Sequence, residues 1–138
     1  MADDVIAALQ TSDLFGSLPL KRLQAIRDAG REVSFPRGTE IVSQGDDAGR
    51  LYLIVEGTVD VSSGGSHRNT LGPGGAVGEL ALIDGGPRSA TVTATSDVRA
   101  FSLASWNFHP FMSELDVVTA VVKLLCRRLR DAEASLHS

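Results

Sequence analysis

The stretch Gly78-Glu79-Leu80-Ala81-Leu82-Ile83-Asp84-Gly85-Gly86-Pro87-Arg88-Ser89-Ala90-Thr91-Val92 packs three structural signals into fifteen residues. A glycine precedes a short helix-capable segment, Glu79 to Ile83. Gly85-Gly86-Pro87 then reverses the chain, because glycine and proline favour turn conformations. Arg88 opens a strand, and from Ser89 to Thr95 small apolar residues alternate with hydroxyls, as expected of a strand with two different faces.

The same rhythm of short strand and glycine turn extends on both sides. Between residues 32 and 103, runs rich in Val, Ile, Thr and Leu are separated by Pro36-Arg37-Gly38, Gln44-Gly45-Asp46, Glu56-Gly57, Ser63-Gly64-Gly65-Ser66 and Gly72-Pro73-Gly74-Gly75. Turns at this spacing predict an all-β barrel or sandwich. Leu51-Tyr52-Leu53-Ile54-Val55 reads as a buried strand. Most of the glycines fall between Gly38 and Gly86.

Helical patterns flank this β region. Residues 3–30 begin with Asp3 and Asp4, which suit the positive end of a helix dipole. Leu9, Leu14, Phe15 and Leu18 are apolar anchors, and after Pro19 the residues Leu20, Leu23 and Ile26 recur at helical spacing. Gly30 is the expected stop. From Trp106 onward helix returns. Pro110 breaks a short segment, and Asp116 to about Ala134 forms one long helix, with the last residues, Ser135 to Ser138, expected to fray. The first half of the long helix is apolar nearly all round, so more than one side needs a cover. A second chain or the N-terminal helices would each supply one.

At 138 residues the chain suits a single domain. The expected layout is helices at about 3–30, a β-roll at about 32–103 and C-terminal helices at about 105–135. Hydrophobic residues make up 43% and charged residues 22%, which fits a folded globular chain. No apolar run approaches the ~20 residues of a membrane span, and no basic-then-apolar leader opens the sequence. Neither a membrane nor a secretory role is expected. One cysteine, Cys126, cannot form an internal disulfide and fits a cytoplasmic setting; on an apolar helix face it reads as a structural thiol. The net charge of −4 argues against nucleic-acid binding. His67, His109 and His137 lie too far apart for a metal pair, and the glycine run 72–78 lacks the Lys-Ser or Lys-Thr of a P-loop. No metal, cofactor or catalytic role is expected. Arg127, Arg128 and Arg130 read as a solvated helix end, where cations suit the dipole.

What remains is the chemistry of the opening stretch. Free N–H groups at the start of the segment from Glu79 favour an anion. The Arg88 guanidinium and the Ser89 hydroxyl complete a pocket for a singly charged phosphate. Glu79 would repel that phosphate unless it served another purpose, such as accepting a hydrogen bond from a sugar hydroxyl. One anion site beside one hydroxyl acceptor describes a ribose cyclic phosphate.

These residues resemble the phosphate-binding cassette of the cyclic nucleotide-binding domain family. Further points of similarity are Gly38 in Pro-Arg-Gly-Thr-Glu-Ile, Gly45-Asp46, Leu51-Tyr52-Leu53-Ile54 and Gly57, and together they run from about Leu14 to Leu129. The resemblance implies a mainly β fold with flanking α-helices: an eight-stranded jelly-roll β-barrel, N-terminal helices and one long C-terminal helix. It also implies that Arg88 pairs with the cyclic phosphate and Glu79 takes the ribose 2′-hydroxyl. Gly78, Leu80 and Ala81 present backbone to the ligand, and Ser89 adds a hydroxyl. The implied ligand is cAMP, with cGMP second. Val77 departs from the aromatic that often precedes the Gly-Glu pair, a packing change. The base contact is open among Arg127, Arg128, Arg130 and Glu133. The implied function is a regulatory sensor whose C-terminal helix moves on binding, acting on an effector protein or a domain outside this sequence. A homodimer through the helix around Asp116–Ala134 is part of the expectation. The alternative is a structural dimerisation module of the same fold that binds no ligand.

Overall fold

A computed structural model of the chain describes residues 2–45 and 49–137. Asp46 of the expected Gly45-Asp46 match lies outside the described residues. Two helices come first, α1 (Ala2–Thr11) and α2 (Leu20–Ala29). The segment between them is a series of turns in which Leu14, Phe15 and Leu18 are buried. Pro19 caps α2, and its fixed φ of −62° leads the chain into the first turn.

The β region follows as β1 (Arg31–Phe35), β2 (Glu40–Val42), β3 (Arg50–Glu56), β4 (Val59–Ser63), β5 (Ser66–Leu71) and β6 (Ala76–Val77). Then come the short helix α3 (Glu79–Asp84), β7 (Thr91–Ala94) and β8 (Val98–Ala104). The chain closes with α4 (Ser105–Phe108), a 3₁₀ turn (His109–Ser113) and α5 (Leu115–His137). The eight expected strands are all present. They form two four-stranded antiparallel sheets, ordered β1-β8-β3-β6 and β2-β7-β4-β5, and among the described residues no barrel closes. Arg88 does not open a strand as expected: β7 begins at Thr91, and Arg88 sits in the loop before it. α5 is longer than expected and continues through Ser135 to His137.

Two apolar layers hold this arrangement. On β3 and β8, side chains alternate between them, since successive residues of a strand point to opposite faces. Leu51, Leu53, Phe101 and Leu103 pack with the helices, against Phe15, Leu23, Phe108 and Leu124 among others. Ile54, Val98 and Ala100 face the other way and pack with Val59, Val77 and Val92 between the sheets. The pairing Leu51↔Leu103 and Leu53↔Phe101 keeps both strands in phase. Because both faces of β3 are covered, its middle, Leu51 to Val55, is apolar without a break, as the sequence suggested, whereas β8 carries Arg99 and the buried Ser102 among its apolar residues.

α5 has one covered side. Val117, Ala120, Val121 and Leu124 are buried in the helical layer, while Val122, Leu125 and Leu129 are exposed. The helical layer therefore covers part of its apolar surface and leaves the rest open. Cys126 is exposed, which corrects the expectation of a structural thiol. Arg22 of α2 bonds Glu114 and Asp116, each at 3.2 Å, and ties α2 to the start of α5. No described helix is long and apolar enough to cross a membrane.

Candidate functional site

The site is assembled where β6 hands over to α3. Gly78 caps α3 with φ 88° and ψ 28°, a left-handed conformation that glycine adopts without strain. The α3 ladder starts with Leu82 N–H donating to the Gly78 carbonyl at 2.9 Å. Gly85, also left-handed, ends the helix by donating its N–H to the Ala81 carbonyl. The loop then brings Arg88 back beside Gly78. Its carbonyl accepts from the Gly45 N–H at 2.9 Å, and the Gln44 N–H donates to Thr91 Oγ1 at 3.0 Å. The β2–β3 connection thus holds the returning chain in place.

A cavity of about 830 Å³ opens here. Gly78, Glu79, Leu80, Ala81, Arg88 and Ser89, the six residues singled out from the sequence, all line it. Val42, Val61, Leu71 and Val92 supply apolar wall from the second sheet, and Arg128 of α5 reaches the opposite side. Leu80 and Ser89 are exposed, whereas Ala81 is buried.

Among the described residues, Arg88 and Glu79 are the buried charges. Arg88 is 8% exposed, and its guanidinium lies over the Tyr52 ring, 5.9 Å from the centroid. A Cβ on Gly78 would collide with Nη1 of that guanidinium, so the bare glycine makes room for the charge. Nη1 is buried and has no hydrogen-bond partner. Burial draws the Arg88 pKa below the usual arginine value, and Tyr52 acts in the opposite direction. A guanidinium nevertheless stays protonated in proteins, so a cation stands at the cavity wall. Buried charge without a partner is costly, which makes the position a strong attractor for an anion.

Glu79 is 9% exposed, and its two oxygens differ. Oε1 accepts from Arg128 Nη2; Oε2 is buried and has no partner. Burial pushes the Glu79 pKa above the usual 4.5, countered by the Arg128 charge and a backbone hydrogen bond, while Asp13 pushes it further up. The cavity therefore presents one unsatisfied donor on a cation and one unsatisfied acceptor on a carboxylate. A ligand that carries both an anion and a hydroxyl donor satisfies the two together.

Arg128 and Tyr52 complete the picture. The sequence reading named Arg128 only among several candidates for a base contact, within a cluster read as solvated. Here Arg128 bonds Glu79, and Arg127 donates to the Asp13 carbonyl at 2.8 Å, so two of the three arginines are engaged. The signal was available in the helical period: Arg128 continues the line of Val117, Val121 and Leu124 along the covered side of α5. Tyr52 carried a weaker signal, as the single aromatic in an aliphatic strand. Among the described residues no cluster of His, Cys, Asp or Glu is arranged to hold a metal.

Comparison with known proteins agrees with this geometry. The model of the cyclic nucleotide-binding domain family matches residues 32–114. The chain is 38% identical over 108 residues to a cAMP-dependent protein kinase regulatory subunit of Debaryomyces hansenii, covering 77% of this chain and 24% of that protein. Among solved structures, the N-terminal domain of a transcriptional regulator from Streptomyces coelicolor superposes with a TM-score of 0.81 at 31% identity, over 91% of this chain and 94% of the other. The regulatory domain of Toxoplasma gondii PKA in co-crystals with cAMP gives 0.72 at 34% identity, over 79% and 43%. The chain belongs to the cyclic nucleotide-binding domain family. Domains of this family are regulatory binding modules and not catalysts. The chain spans about a quarter of the kinase subunit it matches.

Proposed function

We propose that this chain binds a cyclic nucleotide in the cavity between α3, the Arg88 loop and α5, and acts as a regulatory sensor. The observation that carries the reading is the buried, unpartnered Nη1 of Arg88 facing the same cavity as the unpartnered Oε2 of Glu79. A cyclic phosphodiester carries one negative charge and matches Arg88. The ribose 2′-hydroxyl donates to Glu79 Oε2. Gly78, Leu80 and Ala81 offer backbone around the sugar and phosphate, and Ser89 offers its hydroxyl. cAMP is favoured over cGMP because a similar regulatory domain is crystallised with cAMP and the kinase subunit is cAMP-dependent by name.

Arg128 makes α5 the responding element, since the helix is bonded to the carboxylate that would hold the sugar. On this reading residues 1–138 act as one binding domain in the cytoplasm, paired with a second copy through α5. They make no nucleic-acid or membrane contact of their own and signal to an effector protein or further domain. Isothermal calorimetry with cAMP and cGMP tests the proposal. We expect micromolar binding of cAMP, weaker binding of cGMP, and a loss of about tenfold to a hundredfold in Arg88→Ala, the worth of one charge-assisted hydrogen bond. Absence of heat with both nucleotides refutes it and leaves the fold as a structural module.

A further inference from the structure

Tyr52 and Arg88 also line a second, smaller cleft of about 260 Å³, whose described lining holds two arginines, Arg50 and Arg88, and no acid. Local contacts build it. The Ser105 N–H donates to the Gly49 carbonyl at 2.8 Å, which docks the first turn of α4 on the end of the β2–β3 connection. Trp106 follows, 62% exposed, and the Arg50 guanidinium lies 5.4 Å from the centre of its ring. Arg50 Nη1 donates to the buried Ser102 hydroxyl at 3.2 Å, a neutral acceptor that leaves the charge unmatched. β1 adds a third cation to this face: Arg31 stands opposite Ser102 in the ladder, and strand partners point the same way. Among the described residues, neither Arg31 nor Arg50 meets an acid within salt-bridge distance. The chain as a whole carries −4, so these cations form a basic corner on an acidic molecule.

Size and chemistry select the occupant. Small-molecule cavities run to about 300–1,000 Å³; this cleft is smaller and suits a single side chain better than a nucleotide. Tryptophan and arginine are among the residues most enriched at the energetic centres of protein interfaces. The Arg50 guanidinium gains from a carboxylate, which accepts its N–H groups in a charge-assisted pair, and the open Trp106 ring gains from apolar cover. We propose that the cleft is a docking site for an acidic segment of a partner protein, with a glutamate or aspartate seated on Arg50 and a neighbouring apolar side chain laid on Trp106. A nucleic acid suits the corner less well, because the net negative charge of the chain repels a polyanion. The inference rests on the charge and shape of this corner and not on nucleotide binding, so each can fail alone.

Trp106 is the only tryptophan of the chain, so its fluorescence reports on this cleft alone. The probe is the capped peptide Glu-Leu-Glu-Leu-Glu, titrated into the full chain, with Gln-Leu-Gln-Leu-Gln as its uncharged counterpart. The acidic peptide is expected to give a saturable change in Trp106 emission that weakens as ionic strength rises, and the uncharged one no change. Arg50→Gln, with its folding checked by circular dichroism, should weaken the acidic peptide about threefold to tenfold, the worth of one partly exposed charge-assisted contact. Trp106→Glu, at an exposed position, places an acid of the chain's own beside Arg50 and should abolish the peptide's binding heat in calorimetry; it keeps the test open if Arg50→Gln does not fold. No response to the acidic peptide, an equal response to the uncharged one, or peptide binding that survives both variants overturns the inference. So does saturation of the same signal by acetate or inorganic phosphate at the peptide's working concentration, which would mark a small-anion site, or tighter Arg50-dependent binding of duplex DNA, which would mark a nucleic-acid surface.

Discussion

The Arg88 guanidinium occupies the space where Gly78 lacks a side chain, so the cap of α3 and the cation of the cavity wall are fitted to each other. Two separate demands fall on this glycine. The left-handed φ of 88° disfavours any L side chain, and the guanidinium excludes one sterically.

Gly78→Ala should therefore fail twice over. The backbone alone costs about 1–2 kcal/mol, or a few degrees in Tm for a chain of this size. The displaced Arg88 should also lose its hold on ligand. Thermal unfolding and calorimetry read the two effects separately. Gly38→Ala is the control: φ is 91° there, but nothing lies within 4 Å of the added carbon, so only the backbone cost is expected.

Glu79 should leave a signature in the pH dependence of stability. Its folded pKa lies above 4.5, chiefly because of burial, so the native state holds this proton more tightly than the unfolded chain. Between 4.5 and the higher folded value the native state binds more protons, and stability falls as pH rises. Relative to Glu79→Gln, which does not titrate, the wild type should be most favoured at low pH and lose ground as pH rises through that window. Urea unfolding of both proteins from pH 4 to 7 checks the sign, and a difference independent of pH would contradict it. Ligand binding should move the other way, weakening as Glu79 is protonated.

Tyr52→Leu preserves apolar bulk and removes the ring beneath Arg88. An exposed to partly desolvated cation–π contact is worth about 0.5–2 kcal/mol, so cyclic nucleotide affinity should fall a few-fold while the fold persists. The ring also meets Phe35 edge-on at 5.7 Å, and Tyr52→Phe keeps both contacts. Wild-type affinity in Tyr52→Phe together with loss in Tyr52→Leu would assign the effect to the ring and not to the hydroxyl.

Arg22→Ala cuts the bonds from α2 to Glu114 and Asp116. Partly exposed ion pairs contribute little to global stability, of order 1 kcal/mol or less. The expected effect is local: faster amide hydrogen exchange in the first turns of α5, with β3 and β8 unchanged. Equal acceleration throughout the molecule would mean that the pairs support the whole fold.

Much of this architecture was legible in the residues, for particular reasons. Glycine turns separated the strands of 32–103, and the α3 turn was visible because Gly78 and Gly85 bracket a six-residue helix. The six cavity residues were legible because they are consecutive or nearly so, and one short loop brings them together. Arg128 is distant in sequence: the helical period places it on the covered side of α5, but which residue it meets there, Glu79, depends on how α5 sits against α3, and no local pattern encodes that. The strand expected at Arg88 failed for a related reason. The loop tied by Gly45 to the Arg88 carbonyl overrides the alternation that starts at Ser89. Cys126 was misjudged because the first half of α5 is apolar nearly all round, so composition alone does not say which side meets the body.

The alternation along β3 and β8 gives the molecule a bulkhead in which residue parity decides the consequence of change. Odd positions there, Leu51, Leu53, Phe101 and Leu103, face the helical compartment; even ones, Tyr52, Ile54, Val98 and Ala100, face the compartment shared with the cavity walls. Evolution or a designer can thus retune what the domain senses and how it reports through adjacent codons of a single strand, one parity at a time.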